Sequence, residues 1–138
     1  MELKGINKGP ERLFIAIRLP EQLRDALGQR CRRLASELKF SKWVHDEDYH
    51  ITLQFLGDTA PEKIPTLIEA LKTATTGFPP FELSLQNWGT FGPASSPRVL
   101  WGGIAGDLLP LYDLQRAVTS ATLPLGFAKE ERKYSPHI

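Results

Sequence analysis

Apolar residues recur at two different spacings along the first part of this chain, and each spacing predicts one type of secondary structure. Every second residue over positions 13–19 is apolar, which is typical of a strand with one buried face. Over positions 23–38 the apolar residues follow the 3.6-residue repeat of a helix. Pro20 and Glu21 are favourable residues for the start of that helix. The chain is therefore predicted to begin with a strand and a helix.

The same reasoning continues to residue 121. A second strand is predicted over 49–56, where Gly57 and Asp58 supply a turn signal at its end. Gly102 and Gly103 lie inside a later apolar segment and indicate a bulge or a close approach between backbones. The remaining predicted elements are a helix from about residue 61 with Pro65 in its first turn, a strand over 81–86, a loop over 88–97, a strand over 98–104 and a helix over 108–121.

Strands and helices separated by short connections predict one compact α+β domain that covers residues 1–138. The order strand, helix, strand, helix, strand, strand, helix also fits a ferredoxin-like or RRM-like module. The order of elements alone therefore leaves both an enzyme and a non-catalytic RNA-binding module open.

The charge balance limits how this protein can bind nucleic acid. Seventeen basic and sixteen acidic residues give a net charge of +1, so no global positive field favours binding along an RNA backbone. Any contact with RNA would therefore be local, at an end or at a single nucleotide. The single cysteine, Cys31, excludes an intramolecular disulfide and fits a reducing compartment. Residues 1–12 lack the apolar stretch of a signal peptide, no apolar run reaches the length of a membrane span, and we predict a cytoplasmic protein.

The second predicted strand carries the most informative polar residues. His50 and Thr52 share one face, because side chains alternate along a strand, and they stand about 7 Å apart. An imidazole and a hydroxyl at this distance can hold a phosphate oxygen while the imidazole transfers a proton. A His-x-Thr strand by itself is also what a solvated sheet face would carry. The opposite face is predicted to be buried and carries Tyr49, Ile51, Leu53 and Phe55.

Four segments in the expected order resemble the two-histidine (2H) phosphoesterases, and most closely their LigT/ThpR branch. The run His50-Ile51-Thr52-Leu53-Gln54-Phe55-Leu56-Gly57, with Trp43 before it, is similar to the first signature of the family. The other three segments are Leu13 to Ile17 with Leu19-Pro20, then Phe91-Gly92 with Pro97-Arg98-Val99-Leu100-Trp101, and Tyr134-Ser135-Pro136-His137-Ile138.

The resemblance implies a LigT-like fold with two pseudo-symmetric lobes of antiparallel sheet, helices packed outside and a central cleft. Each lobe would supply one histidine, here His50 and His137. In the family the second motif continues as His-Ile-Thr-Leu, whereas this chain ends at Ile138. We therefore expect the C-terminal part of the domain to lie outside this chain.

The resemblance also implies the chemistry. His137 would be the proton acceptor for an attacking water, His50 the proton donor to the leaving ribose oxygen, and Thr52 a phosphate ligand. The reaction would open a terminal RNA 2′,3′-cyclic phosphate to a 2′-phosphate, with 2′–5′ RNA ligation as its reverse. Neither a cofactor nor a metal would be required, because imidazoles titrate near neutral pH. The expected partners are RNA ends or small cyclic nucleotides, and the expected state is a monomer.

Two alternatives remain. The same site could act on a small nucleotide such as ADP-ribose cyclic phosphate. A non-catalytic α+β RNA-binding module would instead be expected to carry an aromatic ribonucleoprotein motif and clustered positive charge, and the sequence has neither.

For several other residues, the sequence is compatible both with a purely structural role and with a functional one. His45 lies in an acidic segment and is predicted to be a surface residue, and Cys31 is predicted to fill the core. Together with His50 they lack the number and spacing of zinc ligands. Arg98 could contact a phosphate or be solvated. Trp88 and Phe91 could stack a base or pack in the core.

Overall fold

A computed structural model describes residues 9–40, 42–91, 95–97, 99–130 and 132–138. In this part of the chain the elements follow the predicted order. They are β1 (Glu11–Arg18), α1 (Glu21–Ala35), β2 (His50–Thr59), α2 (Ile64–Thr75), β3 (Leu83–Phe91), β4 (Val99–Gly106) and α3 (Leu108–Thr122), with 3₁₀ turns at Asp46–Asp48, Pro61–Lys63 and Leu123–Leu125.

Strand β1 pairs with β2, and β3 pairs with β4, in two separate sheets. The β3–β4 contacts show that this pair is antiparallel. Gly89 lies against Trp101, while Gly103 lies against the Gln86 carbonyl, so one residue number rises as the other falls. In the other sheet, Arg12 is 4.0 Å from Asp58, and the rings of Phe14 and Phe55 lie 6.1 Å apart. Here too the residue number rises along one strand as it falls along the other, so β1 and β2 are antiparallel. The predicted α+β class with antiparallel sheets is confirmed.

The described residues form two compact units. The first unit takes its residues from the ranges up to 15, 53–83 and 106–135, and the second from 16–52, 84–105 and 136–138. In the first unit α2 packs on α3, and both helices place their apolar stripe inside. Its most deeply buried side chains are Thr59, Ile64, Leu111, Val118 and Thr122.

The second unit contains α1, the β3–β4 pair except its outer ends, and the start of β2. Leu27 of α1 is buried, and so are Tyr49 and Ile51 next to and within β2. Among the other residues of the apolar stripe predicted for α1, Leu23, Cys31 and Leu34 are half-buried, while Ala26 and Ala35 are exposed. The predicted buried stripe is therefore only partly correct. The helix itself ends at Ala35, and Leu38, predicted as its last core position, is exposed.

The predicted alternation along β2 fails at Phe55. This side chain was expected on the buried face, but it is 76% exposed, whereas Gln54 is buried. Helix α3 explains the difference, because Thr122 donates a 2.8 Å hydrogen bond to Gln54 Oε1 and so covers the face that Gln54 occupies. The predicted end of the strand at Gly57 is also wrong. Gly57 takes a φ of 72° and the strand continues to Thr59.

The predicted loop over 88–97 is wrong in its first four residues, which belong to β3. Two residues that favour turns lie inside this strand. Asn87 has a φ of 56°, which asparagine tolerates, and Gly89 leaves room for the Trp101 indole. The close backbone approach predicted at Gly103 is confirmed, since a Cβ there would lie 1.9 Å from the Gln86 carbonyl oxygen.

Candidate active site

One cavity of about 430 Å³ in the second unit brings the three predicted site residues together. His50, Thr52 and His137 all line it, although His137 lies far from the other two in sequence. Most of the remaining wall is apolar or aromatic, and Lys42 and Asp48 are its charged residues. The apolar and aromatic residues are Leu27, Phe40, Trp43, Val44, Tyr49, Trp88, Val99, Leu100, Trp101 and Ile138.

His50 is oriented by a backbone carbonyl. Its Nδ1 lies 2.5 Å from the carbonyl oxygen of Asp48. A carbonyl can only accept a hydrogen bond, so Nδ1 carries the proton and donates it. Proton transfer by His50 would then use the opposite ring nitrogen, Nε2. The carbonyl can hold Nδ1–H in both the neutral and the charged ring, so this orientation does not depend on protonation of Nε2.

His137 is held beside β4 by backbone pairing. Ile138 N–H donates to Gly102 O at 3.0 Å, and Gly102 N–H donates to Ile138 O at 2.8 Å. A reciprocal pair of this kind is typical of two residues directly opposite in antiparallel strands. The segment that ends in Ile138 therefore pairs with β4 as a neighbouring strand would. This pairing holds the adjacent His137 at the cavity wall.

Two aromatic rings pack against the His137 imidazole. Phe91 meets it edge to face, with ring centres 5.1 Å apart, and the centre of Trp101 lies 6.1 Å away. Phe91 and Trp101 also contact each other, at 5.5 Å. Trp101 in turn lies against Gly89, where a Cβ would come within 2.1 Å of its six-membered ring. The glycine is therefore required for the present position of this indole.

An ion pair links α1 to the 3₁₀ turn at Asp46–Asp48, which precedes His50. Arg32 Nη1 donates to Asp46 Oδ2 at 2.8 Å. This hydrogen bond holds the pKa of Asp46 below its usual value and the pKa of Arg32 above its usual value. Tyr49 lies beside the pair and is buried. Burial first, and then its hydrogen bond with Cys31, raise the pKa of the Tyr49 phenol.

The remaining candidate residues from the sequence differ in whether they reach the cavity. His45 does not line the cavity; its Nδ1 accepts a 3.2 Å hydrogen bond from Glu47 N–H and caps the 3₁₀ turn. Cys31 lines the cavity wall beside Tyr49. Trp88 and Phe91 are partly exposed rather than deep in the core. Arg98 lies outside the described residues, as does Gly92 of the third segment.

Sequence reasoning missed three contributors to the site. Trp101 was noted only as part of a motif, and its contact with His137 depends on pairing between distant strands. Gly28 and Arg32 of α1 are not singled out by the sequence analysis, although Asp46 contacts both of them. A glycine in mid-helix next to an apolar stripe was the one available signal, since glycine weakens a helix unless something packs there.

Within the described residues, no three acidic, histidine or cysteine side chains are arranged to hold a metal ion.

Comparisons with known proteins show to which family this chain is similar. The family model described as LigT like Phosphoesterase matches residues 17–101. An RNA 2′,3′-cyclic phosphodiesterase of Geobacillus stearothermophilus is 42% identical over 125 residues, which are 91% of this chain and 40% of that protein. The protein of the same name from Thermotoga maritima is 35% identical over 129 residues, which are 92% of this chain and 67% of that protein.

The fold has a counterpart among solved structures. The crystal structure of E. coli LigT complexed with 3′-AMP superposes with a TM-score of 0.71 at 27% identity, and the match covers 93% of this chain and 70% of that one. This chain thus spans between two fifths and about two thirds of the length of these relatives. In the part that the structure describes, no helix is both long and apolar enough to cross a membrane.

Proposed function

This chain belongs to the family of LigT-like phosphoesterases, and from that premise we propose that it opens 2′,3′-cyclic phosphates at RNA ends and leaves a 2′-phosphate. The observation that carries the proposal is the convergence of His50, Thr52 and His137 on one cavity. Two imidazoles and one hydroxyl form the smallest set that can activate water, protonate a leaving oxygen and hold a phosphate.

The reaction assigns one role to each residue. His137 takes a proton from water, and the oxygen of that water forms a bond to phosphorus. The bond between phosphorus and the ribose 3′ oxygen breaks, and His50 Nε2 donates its proton to that oxygen. Thr52 donates a hydrogen bond to a non-bridging oxygen. One proton has entered His137 and one has left His50, so exchange with solvent restores both rings.

The orientation of His50 supports its role as the acid. The Asp48 carbonyl holds Nδ1–H at 2.5 Å, which leaves Nε2 as the nitrogen that can deliver a proton. The pairing of Ile138 with Gly102 and the packing of Phe91 and Trp101 give His137 a similarly defined position. Both rings are thus held before substrate arrives, which is the condition for effective general acid–base catalysis.

The proposed substrate is an RNA end or a cyclic nucleotide rather than a long duplex. The net charge of +1 supports contact with one or a few phosphates, and the volume of the cavity is in the range of a small-ligand site. The relatives named RNA 2′,3′-cyclic phosphodiesterase and the 3′-AMP complex of E. coli LigT agree with this class. The proposal includes metal-free catalysis, a monomeric state and a cytoplasmic location.

The decisive assay follows the product formed from a short RNA that ends in a 2′,3′-cyclic phosphate, in the presence of EDTA. The wild type is compared with His50→Ala and His137→Ala, and both variants should lose about 10²- to 10⁴-fold in rate. His45→Asn is the matched control, because it removes the third imidazole but keeps an acceptor that can cap the turn. This control should retain the wild-type rate.

The outcomes separate the alternatives. A 2′-phosphate product that disappears in both histidine variants supports the proposal, and a 3′-phosphate would reverse the assignment of the leaving oxygen. Activity that requires an added metal would contradict the two-histidine mechanism. RNA binding without any product in the wild type would favour the binding module, and turnover of ADP-ribose cyclic phosphate alone would move the same chemistry to a small nucleotide.

A further inference from the structure

We propose that the Arg32–Asp46 ion pair, seated on Gly28, positions the catalytic imidazole of His50. None of these three residues lines the cavity, so they would act through the 3₁₀ turn that precedes β2. The inference rests on the proposed function in one respect, which is that His50 is the proton donor. It concerns how the fold selects the reactive nitrogen of that residue.

The turn is what presents the Asp48 carbonyl to His50. Asp48 N–H donates to His45 O at 2.9 Å, and Tyr49 N–H donates to Asp46 O at 3.3 Å. These two bonds fix the peptide between Asp48 and Tyr49. The carbonyl of that peptide accepts from His50 Nδ1 at 2.5 Å. A shift of the turn therefore moves the carbonyl oxygen that orients this ring.

Asp46 attaches the turn to α1. Its carboxylate accepts from Arg32 at 2.8 Å, although the Arg32 side chain remains 63% exposed. The phenol of Tyr49, the residue directly before His50, is a further cause of the lowered pKa of this carboxylate. The Asp46 carboxylate thus joins the helix to the turn. The fixed fork of an arginine makes this link directional as well as attractive.

Gly28 makes the link possible sterically. A Cβ at this position would lie 2.2 Å from Asp46 Oδ2 and 2.4 Å from its carboxyl carbon. Glycine in the middle of a helix normally lowers its stability relative to alanine. Here the missing side chain provides the space into which the carboxylate fits. We infer that glycine at this position lowers the stability of the helix but is required for the position of Asp46.

The consequence for the reaction follows from the tautomer. With the Asp48 carbonyl in place, the proton of neutral His50 stays on Nδ1. Nε2 is then the nitrogen that exchanges a proton with the substrate. If the turn shifts, both tautomers become available and the ring loses its fixed direction. Misplacement of a reacting group by about 1 Å can cost on the order of 10²-fold in rate. We expect kcat to fall roughly ten- to hundredfold while KM is unchanged, because substrate binding does not use these residues.

The experiment uses the full chain with Asp46→Asn, Arg32→Gln and Gly28→Ala, together with the conservative Arg32→Lys. Two quantities are measured in each: kcat and KM on the cyclic-phosphate RNA, and the ¹⁵N chemical shifts of the His50 ring nitrogens, which report the tautomer directly. Asp113→Asn is the matched control, since it breaks an exposed Arg116–Asp113 pair on α3 in the first unit. Thermal unfolding shows whether each variant folds.

Gly28→Ala is the sharpest variant because it leaves both charges of the pair in place and removes only the space that the Asp46 carboxylate occupies. A purely structural role predicts that this change alters thermal stability alone and leaves the His50 tautomer and kcat unchanged. The inference predicts lower kcat and a mixed tautomer in Gly28→Ala, Asp46→Asn and Arg32→Gln, a smaller effect in Arg32→Lys, and wild-type values in Asp113→Asn. Wild-type His50 signals in Gly28→Ala and Asp46→Asn would overturn it, whatever their kcat. If the wild type opened no cyclic phosphate, the proposed function would fail, and the ring signals would still decide this inference.

Discussion

Gly89→Ala is predicted to damage the site through the position of one indole. The added Cβ would lie 2.1 Å from the Trp101 ring, whereas ordinary contact begins at 3.4 Å, so the ring or its strand must retreat by about 1.3 Å. Trp101 contacts both Phe91 and His137, with ring centres 5.5 and 6.1 Å away. A retreat of this size reaches the imidazole. We expect kcat to fall by roughly 10²-fold and stability to fall by about 1–3 kcal/mol.

The assay compares kcat, KM and the free energy of unfolding of Gly89→Ala with those of Gly102→Ala. Gly102 is the matched control, because it lies on the neighbouring strand and a Cβ there would meet nothing closer than Ile138 at 3.8 Å. This variant should remain close to wild type in all three quantities. The cause is isolated by repeating Gly89→Ala in a Trp101→Phe background, where the smaller ring leaves space and the two changes should be strongly non-additive.

Two results would refute the reasoning. Equal loss of activity in the Gly89 and Gly102 variants would mean that any side chain on these strands is harmful. Additive effects of Gly89→Ala and Trp101→Phe would mean that the clash with the indole is not the cause. Either result would remove Trp101 as the element that keeps His137 in place.

Two further predictions concern stability and ionisation. Thr122→Val keeps the volume of a fully buried side chain but leaves Gln54 Oε1 without its donor, so chemical denaturation should show a loss of about 1–3 kcal/mol, and Thr122→Ser should restore most of it. An unchanged midpoint in Thr122→Val would contradict this. Burial, and next the neighbouring Tyr112, raise the pKa of Tyr134 to about 12, and burial also raises the pKa of Tyr49. Because unfolded phenols ionise near pH 10, stability should fall as the pH rises from about 10 towards 12. Full phenolate absorbance near pH 10 in the still-folded protein would contradict it.

Part of the candidate site could be predicted from the sequence because local rules decide it. Strand alternation places His50 and Thr52 on the same face of β2, and that relation holds wherever the strand packs. The apolar repeat likewise predicts the helix α1 and the burial of Leu27, although Ala26 and Ala35 of the same stripe are exposed. The pairing of His50 with His137 came from the resemblance to the 2H phosphoesterases and not from any local pattern.

The errors in the secondary-structure prediction arise where a neighbouring element overrides the local signal. Gly57, Asn87 and Gly89 all favour turns, but each lies inside a strand because a left-handed residue or a missing Cβ is tolerated when the partner strand supplies hydrogen bonds. Phe55 is exposed although its pattern predicts burial, because α3 covers the opposite face of β2 at Gln54.

The sequence by itself determined the order of the elements, the α+β class and the shared face of His50 and Thr52, because hydrophobic spacing and side-chain alternation act over a few residues. Only the tertiary structure decided which atoms orient the two histidines. The Asp48 carbonyl, the Arg32–Asp46 pair on Gly28 and the Trp101 indole on Gly89 are contacts across a turn, a helix and two paired strands. Their distances depend on how whole elements pack, and no local pattern of residue types encodes that packing.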